Sequence, residues 1–384
     1  MSSRLNNKIQ ICVAANTAWY LNNFRLNLIK ELIKSGFDVV ALAPFDPDST
    51  AAIVATGARF ENVSIDCQGK NPFIELKVIA RIKKIISQNQ FDLIFSYTPK
   101  VNIYMGIAAR MYGIKWFPNI SGVGAIGSHN LLVIYALKVL YKISLNGATR
   151  VFFQNDDDMH EFLRQRLVKR SQCLRVPGSG VDIKHFCCDS FTSVRGNDLV
   201  FLMFGRLLWD KGIGEFVEAA RYIKKRYTGV KFRVMGFVDN SRKNSVANHD
   251  ILSWVGEGVI DYSEPSSDVR PIIWDCDCVV LPSYYGEGVP RSLLESAAMM
   301  RPIITTSLPG CRDAVLNGVT GFTCNPRDVN DLILKIEKVI KMTPENRKKM
   351  GDEARKYMIK YFNERIVLDA YINIIKECLV VKYK

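Results

Sequence analysis

The first half of the chain alternates between two hydrophobic periods. Short apolar runs at KIQICVAAN (8–16), DVVALAP (38–44), RFENVSI (59–65), DLIFSYT (92–98), KWFPNIS (115–121), RVFFQN (150–155) and CLRVPG (173–178) read as β-strands. Most are continuously apolar rather than alternating, the pattern of parallel strands covered on both faces. Between them apolar positions return at helical spacing. In NFRLNLIKELIKSG, Phe24, Leu28, Leu32 and Ile33 share one face and Gly36 supplies the stop. Strand and helix alternating in this way predict a doubly wound α/β domain.

The pattern pauses at PGSGVDIKHFCCDSFTSVRGND, rich in Gly, Ser and Asp, and then restarts. LVFLMFGRL (199–207), VKFRVMGF (230–237), GVIDYS (258–263), CDCVVLPS (276–283) and PIITTS (302–307) form a second set of strands, and helices are expected over 328–341, 344–361 and 363–381. The expected organisation is an N-terminal Rossmann-like α/β domain over 1–190, a second over 191–362, and a last helix, 363–384, crossing back to the first. Two such domains on one linker are expected to face each other across a cleft, the usual place for a ligand.

Composition changes this picture little. Hydrophobic residues make up 48% and charged residues 23%, ordinary for a chain that buries full cores. The apolar run near the N-terminus is too short for a secretory signal. Leu131–Leu145 is interrupted by Lys138 and Lys142, short of the ~18 uncharged residues of a spanning helix. Neither a leader nor a membrane span is therefore expected. The ten cysteines include no pair of CxxC motifs, and Cys276 and Cys278 are expected to alternate on one strand without zinc-finger spacing. Free thiols in a reducing cytosol fit that pattern.

Net charge is the first departure from the average. It is +14, with Lys and Arg exceeding Asp and Glu by 23 to 14 over residues 1–190 and by 29 to 24 over residues 191–384. Such a field favours phosphorylated substrates, an acidic bilayer surface or nucleic acid. No nucleic-acid motif accompanies it and the excess is spread along the chain, which argues against the last.

In an open parallel sheet, ligands bind beyond the carboxyl ends of the strands, where helix N-termini offer N–H groups to anions. Three loops of the second domain fall there. In FGRLLWDKG, Arg206 leaves the strand and Lys211 follows five residues on, before Gly212 opens a helix. Two cations so placed can converge on a diphosphate; solvated charges near a turn are the plainer alternative. In SYYGEGVPRSLLESAAMMRP, Gly286 and Gly288 allow close backbone approach to a phosphate, and Pro290 suits a first helical turn. Glu287 and Glu295 flank that turn. A carboxylate beside a phosphate is unfavourable unless it serves a sugar or ribose hydroxyl, the alternative being a glutamate pair that caps the helix. The third loop, TTSLPGCRDAVLNGVTGF, predicts a Pro-Gly turn and a short helix that shape the pocket floor.

These residues carry a resemblance. Glu287 and Glu295, with seven residues between them, resemble the E-x7-E motif of the family 4 glycosyltransferases. FGRL-x-x-x-KG, VVLPSYYGEGVPRSLLESAAMMRPIITTSLPGCRDAV, NGVTGF and GSGVDIKHF (178–186) are similar to that family in order and spacing. The resemblance covers most of 170–340 and is weaker over 1–150. It implies the GT-B fold, retention of anomeric configuration, a nucleotide-sugar donor as substrate, and no cofactor or metal. Arg206 and Lys211 would hold the donor diphosphate, Glu287 the sugar hydroxyls and Glu295 the ribose, with the backbone of Gly288, Val289 and Pro290 beside the phosphates. Preorganised cations stabilise a departing diphosphate as a divalent ion does elsewhere.

The resemblance extends to bacterial enzymes that add N-acetylhexosamine to polyprenyl-diphosphate-linked saccharides in O-antigen or glycoprotein assembly. It leans toward a UDP-linked N-acetylgalactosamine or other N-acetylhexosamine donor and a lipid-linked acceptor at the cytoplasmic face of the inner membrane. In place of the family's glycine pair after the first strand stands NTAWYLNN, whose Asn16 is expected by the donor phosphates. Ser121, Gly122 and His129 are the acceptor-side candidates; His129 does not align with the family's first-domain histidine, and a residue of its kind is more often a surface helix start. The apolar segment 130–150 reads either as a helix packed on the first domain or as an interfacial helix meeting anionic headgroups, with Arg164, Arg166, Lys169 and Arg170 nearby. A sugar-nucleotide epimerase on the same plan is the second reading, disfavoured by the glutamate pair and the GVD linker. A nucleic-acid-binding protein is the third, suggested by charge alone.

Overall fold

The computed structural model describes residues 8–65, 72–122, 131–188, 191, 196, 198–239 and 244–380; His129 lies outside them. The chain forms two compact units: unit 1, up to Ser179 and again from Val367 on, and unit 2, Gly180–Ile366.

Unit 1 is built on seven parallel strands: β1 (Gln10–Ala14), β2 (Asp38–Ala43), β3 (Arg59–Asn62), β4 (Leu93–Tyr97), β5 (Lys115–Ile120), β6 (Val151–Phe153) and β7 (Cys173–Arg175). They pair in the order 3-2-1-4-5-6-7, so the direction of winding reverses between β1 and β4. The strand residues divide by parity, as a period of two requires. Cys12, Ala14, Val40, Leu42 and Ile94 face one core with α3 (Pro72–Asn89), α4 (Pro99–Tyr112), α5 (Leu131–Leu145) and α6 (Asp156–Arg164). Ile11, Val13, Val39, Ala41 and Phe95 face the other, under α1 (Ala18–Lys34), α2 (Pro47–Val54) and α13 (Glu364–Val380). Both faces being covered explains the unbroken apolar runs.

The last helix, α13, joins unit 1 through apolar burial. Val367, Tyr371, Ile372, Ile374 and Ile375 enter its second core. Tyr371 stacks on Phe152 with ring centroids 4.4 Å apart and meets Phe95 edge-on at 5.0 Å. Its hydroxyl accepts from Asn119 Nδ2 at 3.1 Å, which satisfies the one polar atom the ring carries inward. Within unit 2, the segments that lead out of and back to unit 1 run side by side: Val181 donates to Phe362 O at 2.8 Å, and Glu364 donates to Val181 O at 2.9 Å. Gly180 has φ +71°, and a Cβ there would lie 2.6 Å from Glu364 Cα, so the two segments meet only at a glycine.

Unit 2 has six parallel strands, β8 (Leu199–Arg206), β9 (Val230–Phe237), β10 (Asp261–Ser263), β11 (Cys278–Leu281), β12 (Ile303–Thr306) and β13 (Gly321–Cys324), in the order 10-9-8-11-12-13. Winding reverses between β8 and β11. The helices are α7 (Ile213–Arg226), α8 (Asn248–Gly256), α9 (Arg270–Trp274), α10 (Arg291–Ala298), α11 (Val329–Ile340) and α12 (Pro344–Tyr361). Two local expectations change. Strand β13 occupies part of the third loop, and Cys276 precedes β11 rather than alternating on it with Cys278; both thiols are fully buried. No disulfide forms among the described cysteines. Among the described residues no helix is long and apolar enough to cross a membrane.

Replacing Tyr371 by Ala removes a fully buried ring and leaves Asn119 Nδ2 without that acceptor. The expected loss is about 3 to 5 kcal/mol in the stability of unit 1. Urea unfolding should show an early transition, and a midpoint equal to that of the native chain would contradict the packing described for α13.

Candidate active site

The strand reversal in unit 2 separates the loops that leave β8 and β11, and the candidate residues collect there, as the switch-point rule expects. Arg206 is the last residue of β8. After it the chain makes a 3₁₀ turn, Trp209–Lys211, and Gly212 at φ +82° starts α7. A Cβ on Gly212 would stand 2.2 Å from Pro282 O, so only glycine lets the start of α7 press against the exit of β11. That contact brings the two loops within reach of each other. Lys211 Nζ lies 2.5 Å from Glu287 Oε2, and both side chains are largely withdrawn from water, at 15% and 13% exposure.

The loop between β11 and α10 is held from below. Ser283 Oγ donates to Glu287 Oε1 at 2.8 Å, Tyr284 N donates to Asp210 O at 2.9 Å, and the Thr306 hydroxyl of β12 donates to Ser283 O at 2.6 Å. Gly288, Val289 and Pro290 are buried, and Pro290 caps α10 rather than sitting inside it. Gly310, at φ +79° in the loop after β12, supports them directly: a Cβ there would fall 1.4 Å from Gly288 O. The loop expected to shape the pocket floor thus touches the phosphate-loop candidate backbone to backbone.

Glu295 lies in α10 and is largely buried; Arg291, one turn earlier, meets its Oε1 at 2.9 Å. Burial pushes the Glu295 carboxyl above the usual glutamate range, and Arg291 opposes the shift. Two residues that sequence reasoning passed over complete the cluster. Asp210 sits beside Lys211, accepts from Asn244 Nδ2 at 2.6 Å, and has its carboxyl raised by burial and secondarily by the Glu287 charge, against Lys211 and Arg206. The signal for it was its place next to Lys211 in WDKG. Arg291 was marked only by its spacing of four from Glu295. The Cys311 thiol lies buried under the same loops, where burial, and then Glu287, push it up to about 12, so it stays protonated and is no nucleophile at neutral pH.

In unit 1, Asn16 follows β1 and precedes Thr17, whose hydroxyl caps α1 by accepting from Tyr20 N at 3.0 Å. Ser121 and Gly122 follow β5, Gly122 at φ +118°. All three therefore lie on the carboxyl edge of the first sheet. Between them, at the end of β4, Thr98 holds φ +73°, a costly conformation for a β-branched residue. Among the described residues no group of three or more His, Cys, Asp and Glu gathers in a metal-binding arrangement.

The fold matches solved glycosyltransferases over nearly the whole chain. The glycosyltransferase from Rickettsia africae superposes with a TM-score of 0.79 at 20% identity, covering 97% of this chain and 99% of that one. HepE from Anabaena, solved in complex with UDP, gives 0.76 at 15% identity, covering 96% and 100%. These likenesses define the class, the GT-B glycosyltransferase fold with its two doubly wound α/β domains. The sequence further matches the families described as "Glycosyl transferase 4-like" over residues 10–155 and "Glycosyl transferases group 1" over residues 190–357. The chain belongs to the family 4, group 1 glycosyltransferases, which are retaining hexosyltransferases. Among its relatives, the N,N'-diacetylbacillosaminyl-diphospho-undecaprenol alpha-1,3-N-acetylgalactosaminyltransferase of Campylobacter jejuni is 26% identical over 368 residues, 92% of this chain and 94% of that protein.

Gly310 and Gly318 offer a matched test of the loop contact. Both have φ near +80°, but a Cβ at Gly318 meets open space. Gly318→Ala should lose about 1 to 2 kcal/mol from left-handed strain, and Gly310→Ala more, because its Cβ must displace the Gly288 carbonyl. Only Gly310→Ala should also weaken nucleoside-diphosphate binding, by tenfold or more in calorimetry. Equal binding by the two variants would detach the β12 loop from the site.

Proposed function

We propose that this glycosyltransferase moves an N-acetylhexosamine, with N-acetylgalactosamine the first choice, from a UDP-sugar to a polyprenyl-diphosphate-linked saccharide in an α linkage. The setting is the assembly of O-antigen lipopolysaccharide or another surface glycan. The observation that carries the reading is the Lys211–Glu287 pair at the unit 2 switch point, with Arg206 leaving the adjacent strand. It joins, at one strand edge, positive charge for a diphosphate and a carboxylate for sugar hydroxyls. The UDP complex of the Anabaena protein supports the nucleotide, and the name of the Campylobacter relative supports the sugar and the lipid-linked acceptor.

In this reading Arg206 and Lys211 neutralise the charge that gathers on UDP as the sugar–phosphate bond breaks, which is where fixed cations contribute most. Glu287 holds the sugar by its hydroxyls. Glu295, oriented by Arg291, takes the ribose, while the backbone of Gly288, Val289 and Pro290 lies along the phosphates. Asn16 is assigned to the donor phosphates, and Ser121 and Gly122 to the acceptor. The enzyme works at the cytoplasmic face of the plasma membrane as a peripheral protein. Its cations take the place of a divalent ion, so turnover requires no metal.

The two glutamates separate in a binding experiment. Glu287→Gln should lower turnover while leaving UDP affinity nearly unchanged, and Glu295→Gln should weaken UDP binding itself. The opposite pattern in calorimetry would exchange their roles. Arg206→Ala should reduce turnover by about 10² to 10³ with the fold intact, and near-native turnover would remove it from the site. Transfer should continue in excess EDTA; full loss restored by manganese or magnesium would overturn the metal-free mechanism.

A further inference from the structure

Resting on the lipid-linked acceptor proposed above, we infer that unit 1 docks on an anionic bilayer through one helical layer, inserting the first turn of α3 and the outer face of α5. Helices α3, α4 and α5 cover the same face of the first sheet. Helix α4 is buried along most of its length, so α3 and α5 flank it as two ridges. With packed helix axes 8–10 Å apart, the ridges stand roughly 16 to 20 Å from each other.

Each ridge carries two apolar faces. Val78, Ile82, Ile85 and Ile86 of α3, and Tyr141 and Leu145 of α5, enter the core. Opposite them, Phe73 and Leu76 are 75% and 62% exposed, with Ile74 beside them, and Tyr135 and Ile143 are 71% and 50% exposed, with Val139 and Leu140 beside them. A helix packed on one core needs only one such stripe. A second, grouped apolar face on the same helices marks an interaction surface.

Charge identifies the partner. The three helices contain eight Lys and Arg (Lys77, Arg81, Lys83, Lys84, Lys100, Arg110, Lys138 and Lys142) and one acid, Glu75. That is a net +7. Glu75 is itself engaged, by Lys100 Nζ at 2.6 Å and by the Tyr104 hydroxyl. On the opposite face, α1, α2 and α13 hold five basic and five acidic residues, net zero. Helix α6 borders α5 and brings Asp156, Asp157, Asp158 and Glu161, but Arg164, Arg166, Lys169 and Arg170 follow at once, and Glu161 is bound by Arg164 and Gln165. The positive layer is therefore not cancelled at its border. Exposed apolar side chains ringed by lysine and arginine suit the headgroup boundary of an acidic membrane. Nucleic acid would use the charge but not the apolar residues.

The layer also places the insertion point usefully. The Glu75–Lys100 link ties the exposed turn of α3 to the first turn of α4, which begins where β4 ends. Phe73 and Leu76 thus stand at the rim of the sheet edge that carries Asn16, Ser121 and Gly122. A saccharide held at that edge would have its lipid close to the bilayer that α3 enters.

The test is sedimentation of the full chain with phosphatidylcholine vesicles, with and without phosphatidylglycerol, at low and high salt. Binding should require the anionic lipid and weaken with salt. Phe73→Ser/Leu76→Ser, Tyr135→Ser/Ile143→Ser and Lys77→Glu/Lys84→Glu should each raise the lipid concentration for half-binding about tenfold, with unchanged Tm and unchanged UDP affinity. Equal binding to both vesicle types, native-like vesicle binding by all three variants, or a dimer in solution that they dissociate would overturn the docking surface. The acceptor reading fails separately: vesicle binding that follows these expectations, with no preference for lipid-linked over soluble saccharide, leaves the surface standing and removes the acceptor.

Discussion

The charge pair between Lys211 and Glu287 governs the architecture of the candidate site, because two ions so far withdrawn from water are tolerable only together. Removing one member of such a pair typically costs about 3 to 5 kcal/mol, since the other is left desolvated. The surrounding loops hold the two together. Gly212 admits the close packing that brings Lys211 to the exit of β11, Ser283 fixes the second oxygen of Glu287, and Thr306 secures Ser283 from the neighbouring strand. Each of these contacts crosses or borders the gap left where the strand order reverses. The ammonium is thereby held against the Glu287 carboxylate, largely out of water.

The same topology serves the two units differently. In unit 2 the switch point is lined by short loops carrying Arg206, Lys211, Asp210 and Glu287, an arrangement suited to an anion with hydroxyls attached. In unit 1 the loops leaving β1 and β5 carry the polar Asn16 and Ser121, beside a strained Thr98 and the paired charges of Lys100 and Glu75. Its excess of cations lies instead on the helices behind one face of the sheet. One fold thus presents charge at a strand edge in one unit and on a broad helical face in the other.

How much of this was legible in the sequence depends on whether the information was linear. Strands such as β1, β2, β8 and β11 announced themselves as unbroken apolar runs because both their faces are covered. Strand β13 did not: GFTC has one large apolar residue, and its membership rests on pairing with β12, where Gly321 lets Ile303 O approach to within 2.1 Å of where a Cβ would be. The E-x7-E spacing and the Arg206–Lys211 interval could be read directly. Asp210 and Arg291 could not, since what singles them out is a partner across space or along a helix turn. The exposure of Phe73 and Leu76 was hidden for a related reason. They share α3 with Val78 and Ile82, and a sequence does not say which apolar stripe faces the sheet.

The uneven distribution of charge in unit 1 has a kinetic consequence. A layer of net +7 set against a neutral one gives the unit a permanent electric dipole, and a dipole in the field of a charged plane experiences a torque. Within a Debye length, about 8 Å at physiological salt, that torque would turn the α3–α5 face toward a negative surface before any side chain touched it. Collisions would then arrive already oriented, and diffusion from there on would run in two dimensions rather than three.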